Sequence, residues 1–258
     1  MSPIPPAIPR AALVTGAGRR IGAAIATALA GQGFAVALHC HASTADAETL
    51  AAHLRAQGRL ACVLSADLAD EPATTALIPA ATAQLGPIGI LVNNASRFDR
   101  DEWDTTTRDT WDAHLAPNLR APFLLAQSFA RALPQAAEGV ILNMLDQRVW
   151  SLTPHFLSYT VSKAALWALT QQLALALAPR IRVLAIGPGP ALPSPRQTPA
   201  QFAAQCAATP LRRGTTPDEV AAAILALVSL PSVTGQMLAL DGGQHLQWSP
   251  TRAPTLQE

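Results

Sequence analysis

Tyr159-x-x-x-Lys163 closes the stretch NMLDQRVWSLTPHFLSYTVSK, Asn143 to Lys163, and is the pair in this chain best suited to moving a proton. A phenol with a pKa near ~10 is a poor acid or base at neutrality unless a cation stabilises its anion. Lys163 follows Tyr159 by one helical turn, so a helix puts both on one face and within reach. Tyr159 is the single tyrosine of the chain. Thirteen residues upstream stands Asp146, with Ser151 and Ser158 in between. An ionised carboxylate repels a developing oxyanion. Beside a proton donor it suits a substrate with N–H donors or a ring nitrogen to be protonated. Asp146 could also cap a helix or pair with Arg148.

Reducing a carbonyl or imine needs a hydride donor as well, and the first glycine-rich turn is where one would bind. TGAGRRIG, Thr15 to Gly22, lies between an apolar run and a helical one. Glycines there let the backbone turn tightly and approach a diphosphate resting on the helix N-terminus. Arg19 and Arg20 put two cations at that helix start, against the macrodipole preference for acids, which favours a phosphate role. The second strand ends in His39-Cys40-His41-Ala42-Ser43, with no carboxylate to accept from a ribose and repel a 2′-phosphate. His41 and Ser43 can donate to that phosphate, so the expected cofactor is NADPH in preference to NADH.

Alternating apolar runs and helical stretches must position these groups. Strand-like segments are Ala11 to Gly16, Ala35 to Cys40, Leu60 to Leu68, Gly89 to Ala95, Gly139 to Leu145, Ile181 to Pro188 and Gln236 to Gly243. Helical segments are Ile21 to Ala30, a stretch through Arg55, Ala73 to Leu85, Thr107 to Leu133, Ser158 to Ala178 and Pro217 to Leu230. Pro117 and Pro122 must kink the long helical region or mark a first turn. Continuous apolar strands separated by helices indicate a parallel sheet covered on both faces. The fold class is therefore α/β: a single-domain Rossmann fold with a doubly wound parallel sheet of about seven strands over residues 11–247. A proline-rich segment follows the sixth strand and reads as a substrate loop at about 188–212, where ligands bind in such sheets. Residues 1–10 read as a disordered arm and 248–258 as a tail.

Composition narrows the partners. The net charge is +1 with no basic run, so nucleic acid and anionic membranes are not expected. No apolar run reaches the ~18–20 residues that span a bilayer, and the N-terminus MSPIPPAIPR is not of signal-peptide type. Three widely spaced cysteines give neither a disulfide framework nor a metal site, so no metal is expected and a cytoplasmic location is the default.

The ordered set TGxxx(G)xG, Asn93-Asn94-Ala95, Tyr159-x-x-x-Lys163 and Pro188-Gly189 resembles the short-chain dehydrogenase/reductase family from about Ala11 to Gly243. The resemblance implies cofactor contacts from Gly16, Arg19, Arg20, Ile21, His39, His41, Ser43, Asp67, Leu68, Asn93, Ala95, Ser96, Pro188 and Gly189, with Asn93 and Asn94 mainly structural, fixing the end of the fourth strand. It also implies that Lys163 binds the nicotinamide ribose and that Asn118 holds a proton-relay water near it. In the family's usual pattern a serine fills the position of Asp146 and a glycine that of Arg20. Both departures, with Phe98 after Asn93-Asn94-Ala95-Ser96 and the His39, His41, Ser43 pattern, resemble the pteridine and dihydromonapterin reductase branch. That branch implies a pterin sandwiched between Phe98 and the nicotinamide, contacted by Arg20, Ser96, Asp146 and Tyr159, with Trp150 a further candidate. Ala42 departs from it, since some members have a basic residue there. A homotetramer is implied through the two long helices and the last strand. Two other readings stand beside it: a reductase of a different ketone, imine or quinoid compound, and a sensor that binds the nucleotide without turnover.

Overall fold

The computed structural model describes residues 3–194 and 196–247; the expected tail at 248–258 lies outside them. Seven strands form one parallel sheet: β1 (Ala11–Val14), β2 (Ala35–Cys40), β3 (Ala61–Ser65), β4 (Ile90–Asn93), β5 (Gly139–Met144), β6 (Ile181–Pro188) and β7 (Met237–Leu240). They lie in the order β3-β2-β1-β4-β5-β6-β7, all pairs parallel. Every residue of β1, β2, β4 and β5 is buried, as expected of strands covered on both faces.

Helices α1 (Arg20–Gly31), α2 (Thr44–Ala56), α3 (Glu71–Leu85), α4 (Arg108–Leu115), α5 (Ala121–Ala132), α6 (Leu157–Ala176), α7 (Pro199–Ala207) and α8 (Pro217–Val228) complete the fold. On one face of the sheet Ile25, Leu29, Ile224 and Val228 pack on Val14 and Leu142. On the other Leu77, Ile78, Leu125 and Phe129 pack on Leu13 and Ile141. The chain reverses its winding between β1 and β4, so a crevice opens at their carboxyl ends, where such sheets bind ligands. None of the helices described is long and apolar enough to cross a membrane.

Two local outcomes differ from the sequence reading, and a third gives the expected interruption at Pro117 and Pro122 its form. Residues 3–10 are not a loose arm. Ile8 is buried, Ala7 O accepts from Glu138 N at 3.0 Å, and Arg10 O accepts from Ala35 N at 2.8 Å. One apolar side chain and two backbone bonds at the sheet's amino edge outweigh the proline-rich composition.

The proline-rich segment after β6 carries a helix of its own, α7, entered through a capping box. Thr198 Oγ1 accepts from Gln201 N and Gln201 Oε1 accepts from Thr198 N, with Pro199 at the first helical position. Between α4 and α5 the helix widens to a π turn, Ala116–Arg120. Pro117 and Pro122 have no N–H to offer the carbonyls of Ala113 and Asn118, so an α-helical ladder cannot close there.

Candidate active site

At the nucleotide end, Thr15 Oγ1 accepts from the backbone N–H of both Asn94 and Ala95, at 2.9 Å each. This ties the carboxyl end of β1 to that of β4. Asn94 Nδ2 donates to Thr15 O at 2.8 Å and Gly16 O at 3.2 Å. Gly16 (φ 63°) and Gly22 are locked together: a Cβ on Gly22 would lie 2.1 Å from Gly16 O. Helix α1 begins at Arg19 with no side-chain cap and no acid in its first turn. Its leading N–H groups can therefore take an anion, and the glycine turn admits a diphosphate at backbone distance.

Arg20 sits at φ 55°, the left-handed region in which a side chain is strained and glycine is at ease. The strain puts its guanidinium over the cavity, where Nη1 donates to Pro193 O at 3.1 Å. Arg19 is turned outward, its Nε 3.5 Å from Asp46. His41 is exposed, and Ser43 Oγ packs against the turn, 2.8 Å from where a Cβ on Gly18 would be. Asp67 accepts from Ala69 N at 2.9 Å and Leu68 is buried beside it.

His39, expected at the cofactor, does other work, and Asn93 takes a structural place at the strand end. His39 points inward, 1 % exposed; its Nδ1 accepts from Gly16 N at 3.3 Å and its Nε2 donates to Ala66 O at 3.1 Å. Burial holds this imidazole neutral, its pKa down at about 4. His39 therefore braces the glycine turn from beneath. Asn93 is also buried, donating to Asn143 Oδ1 at 2.8 Å, and Asn143 in turn donates to Thr170 at 2.8 Å. The alternation of side chains along a strand turns Asn93 inward and leaves Asn94 on the cavity.

A cavity of about 540 Å³ extends from this turn over the ends of β5 and β6. It brings together Arg20, Ile21, Ser96, Phe98, Asp146, Tyr159, Lys163, Pro188 and Gly189. Tyr159 Oη donates to Asp146 Oδ2 at 2.9 Å. Lys163 Nζ donates to Met144 O at 2.8 Å and lies 5.8 Å from the Tyr159 ring centre. Burial, then the Asp146 carboxylate, push the Tyr159 hydroxyl well above its ordinary pKa, against the pull of Arg148. Burial lowers Lys163 to about 8, with Asp146 opposing. With its pKa raised, Tyr159 is protonated at neutral pH, the form a proton donor needs, and releasing the proton then depends on positive charge beside it.

Phe98 stands edge-on to Tyr159 (centroids 4.6 Å apart) and stacks on Phe156 (4.5 Å). Phe156 enters α6 at φ 59°, a strained conformation for a bulky residue. Asp101 holds it there: its carbonyl accepts from Phe156 N at 2.9 Å, and its carboxylate accepts from Ser158 Oγ at 2.5 Å. Ser158 Oγ also lies 2.7 Å from His114 Nδ1, so it anchors the helix start and takes no place in the cavity.

The Asn118 side chain is fully engaged. Its Oδ1 accepts from Arg97 N and Ser96 Oγ, and its Nδ2 donates to Arg97 O and Ser162 Oγ. What it has left to offer is its carbonyl, which Pro122 leaves without an α-helical donor. Trp150 is not on the cavity wall; it packs edge-on against His245 (5.2 Å) and Trp167 (6.2 Å).

Arg148, which the sequence already set beside Asp146, is joined on the wall by residues not singled out there. Arg148 is buried under the aromatic pair, and Arg196 reaches from the proline-rich segment to donate to Phe98 O at 3.0 Å. Gln205 comes from α7 and Gln244 from beyond β7. No motif marks Arg196, Gln205 or Gln244, because they meet the site only through the fold. Among the described residues, no group of His, Cys, Asp and Glu could hold a metal ion.

Fold and site together define a class, an oxidoreductase on a doubly wound Rossmann sheet. Residues 16–245 match the family model described as Enoyl-(Acyl carrier protein) reductase. A probable galactose dehydrogenase of Rhizobium meliloti is 34% identical over 244 residues, covering 91% of this chain and 94% of the relative. Pteridine reductase 1 of Leishmania tarentolae is 32% identical over 277 residues, covering 91% and 96%. The crystal structure of FolM Alternative dihydrofolate reductase 1 from Brucella canis, complexed with NADP, superposes with a TM-score of 0.92 at 45% identity, covering 96% of this chain and 100% of that one. The chain belongs to the short-chain dehydrogenase/reductase family, and its likenesses include the pteridine reductase branch.

Proposed function

We propose that this protein is an NADPH-dependent reductase of a dihydropterin or a closely similar nitrogen heterocycle. The observation that carries the proposal is the Asp146–Tyr159 hydrogen bond of 2.9 Å, a carboxylate at the proton donor, next to the aromatic face of Phe98. A ketone would be repelled by that carboxylate; the 2-amino-pyrimidine edge of a pterin would donate to it. The pteridine reductase and the NADP-bound alternative dihydrofolate reductase among the similar proteins support the same reading.

The glycine turn, Arg20, His41 and Ser43 would hold the dinucleotide, with Lys163 at its nicotinamide ribose. When bound, NADPH supplies a hydride to the carbon of a substrate C=N bond. Tyr159 gives its proton to the adjacent nitrogen, and Lys163 holds positive charge beside the phenolate that results. The carbonyl of Asn118, which Pro122 leaves without an α-helical donor, would accept from a water that returns the proton through Lys163. Phe98 covers one face of the heterocycle, and Asp146 orients its edge.

We further infer a homotetramer. An apolar groove lined by Leu115, Ala116, Leu119, Phe123 and Leu169 runs along α4, the π turn, α5 and α6, and a second copy would cover it. A monomer in dilute sizing experiments would exclude this.

The decisive assay is NADPH oxidation by the pure protein with dihydrobiopterin, dihydromonapterin and dihydrofolate. Turnover of at least one is expected, falling about 100-fold or more in Tyr159→Phe while NADPH binding persists. If none is turned over while a ketone, imine or quinone is, the second reading holds and the pterin reading fails. If Tyr159→Phe keeps its rate, the proton-donor role fails.

A further inference from the structure

Arg148 is a buried cation to which the proposed chemistry gives no task. Its side chain is 6% exposed, and its Nη1 lies 3.9 Å from Asp146 Oδ2. Its guanidinium carbon lies 5.0 Å from the Phe156 ring centre and 5.6 Å from that of Phe98. Its own backbone N–H donates to Asp146 Oδ1 at 2.9 Å. One carboxylate oxygen is thus fixed by the turn, while the other is shared between the Tyr159 hydroxyl and the Arg148 guanidinium.

That sharing matters when the proton moves. In the resting geometry the Tyr159 O–H points at Asp146 Oδ2. To protonate a substrate nitrogen, the hydroxyl must turn away, leaving Oδ2 without its donor. Once the O–H bond has broken and the N–H bond has formed, a phenolate stands beside a carboxylate in a largely buried site. Lys163 and the oxidised nicotinamide then face two anions, with Arg148 still 3.9 Å from Asp146 Oδ2 unless it moves closer.

We propose that Arg148 is a positioning residue for proton transfer, its guanidinium closing onto Asp146 Oδ2 as Tyr159 turns its proton to the substrate. The Phe98–Phe156 stack guides this movement of about 1 Å, because a planar cation can slide over ring faces while remaining attracted to them. The charged and titratable groups around Tyr159 are Asp146 and Arg148 from the turn after β5, and Lys163 from its own helix. His114 of α4 stands edge-on at 6.3 Å, and Arg196 lies over the far ring, Phe98, at 5.3 Å. Of these, Arg148 is the one resolved as lowering the tyrosine's proton affinity.

The inference rests on Tyr159 as proton donor, not on the pterin. Since Tyr159 is the only tyrosine, ¹³Cζ-labelled tyrosine gives a single NMR resonance that reports its ionisation directly. In NADP⁺-saturated protein, Arg148→Met should move that titration up by about one unit or more, with Arg148→Lys in between. With dihydrobiopterin, or with phenanthrenequinone if the wild type does not reduce the pterin, kcat should fall about 10- to 100-fold in Arg148→Met. KM should stay within about threefold, and the basic limb of the kcat profile should move to higher pH. In an Asp146→Asn background the same substitution should have less than about a twofold further effect on kcat. An unmoved tyrosine titration, or a kcat loss that simply multiplies with that of Asp146→Asn, would overturn the proposal. Arg148→Gln serves the same tests should the methionine variant not fold. Failure of the pterin alone counts against the substrate assignment and leaves the tyrosine titration to decide on Arg148.

Discussion

Lys163 is the only lysine of the chain, and it is 2% exposed. Replacing it with methionine, similar in length but uncharged, isolates what burying that ammonium does to stability. Burial depresses its folded pKa to about 8 from 10.5. Between those values the unfolded chain binds more protons than the folded one, so the wild type gains stability as pH rises. Linkage puts the penalty at about 3.3 kcal/mol at pH 7 and about 2 kcal/mol at pH 9. The absolute difference between the two proteins at either pH also contains the lost hydrogen bond to Met144 O, worth about 1.5–3 kcal/mol. The change with pH does not. Denaturant unfolding of the cofactor-free proteins should therefore show the wild type gaining about 1.3 kcal/mol on Lys163→Met from pH 7 to 9. Tyr159 and Cys62, whose pKa values are both raised, remain in both proteins and largely cancel. A stability difference that stays constant between pH 7 and 9 would refute the depressed lysine.

Other predictions concern the nucleotide end and the acid range. Arg20→Gly relieves a φ of 55° while deleting a cation over the cavity. It should leave thermal stability equal or higher and weaken NADPH about tenfold, with a smaller effect on NADH, as measured by calorimetric titration. His39 has a folded pKa of about 4 against 6.5 unfolded. Its contribution to stability is thus full above about pH 6.5 and lost as pH falls towards 4. His39→Gln should flatten the stability curve by up to about 3 kcal/mol across that window, read by urea unfolding at pH 4.5 and 7. Trp150→Ala should change tryptophan fluorescence while leaving the substrate KM within about twofold, since Trp150 packs on Trp167 and His245 outside the cavity.

The Tyr159-x-x-x-Lys163 pair and the glycine turn were legible from the chain because each depends on local spacing, whereas Asp146 stood out only through the family resemblance. A helix sets residues four apart on one face, a strand followed by glycines makes an anion-binding turn, and apolar runs of strand length alternate with amphipathic ones. The alternation of strands and helices, and the doubly wound parallel sheet, followed from the same pattern; the strand order that opens the crevice between β1 and β4 is seen only in the fold. Helix α7 was also readable in principle, since Thr198-x-x-Gln201 is a capping-box spacing. The prolines around it hid the signal.

Tertiary structure decided which of several equivalent residues faces the cavity. His39 and Asn93 sit next to the right places, yet both side chains turn inward, one to brace Gly16 and the other to join Asn143. Whether a strand-end residue points to the core or to the ligand depends on what the neighbouring element offers, and no window of sequence contains that neighbour. The same holds for the buried clamp of Asp101, Ser158 and His114, in which Ser158 lies 57 residues from Asp101 and 44 from His114. It holds for Arg148 and Arg196, drawn to one aromatic pair from different loops. Spacing along the chain pointed to Tyr159 and Lys163 as a pair, and the family resemblance added Asp146. The surroundings that set how tightly that donor keeps its proton come from burial and charge, which exist only once the chain is folded.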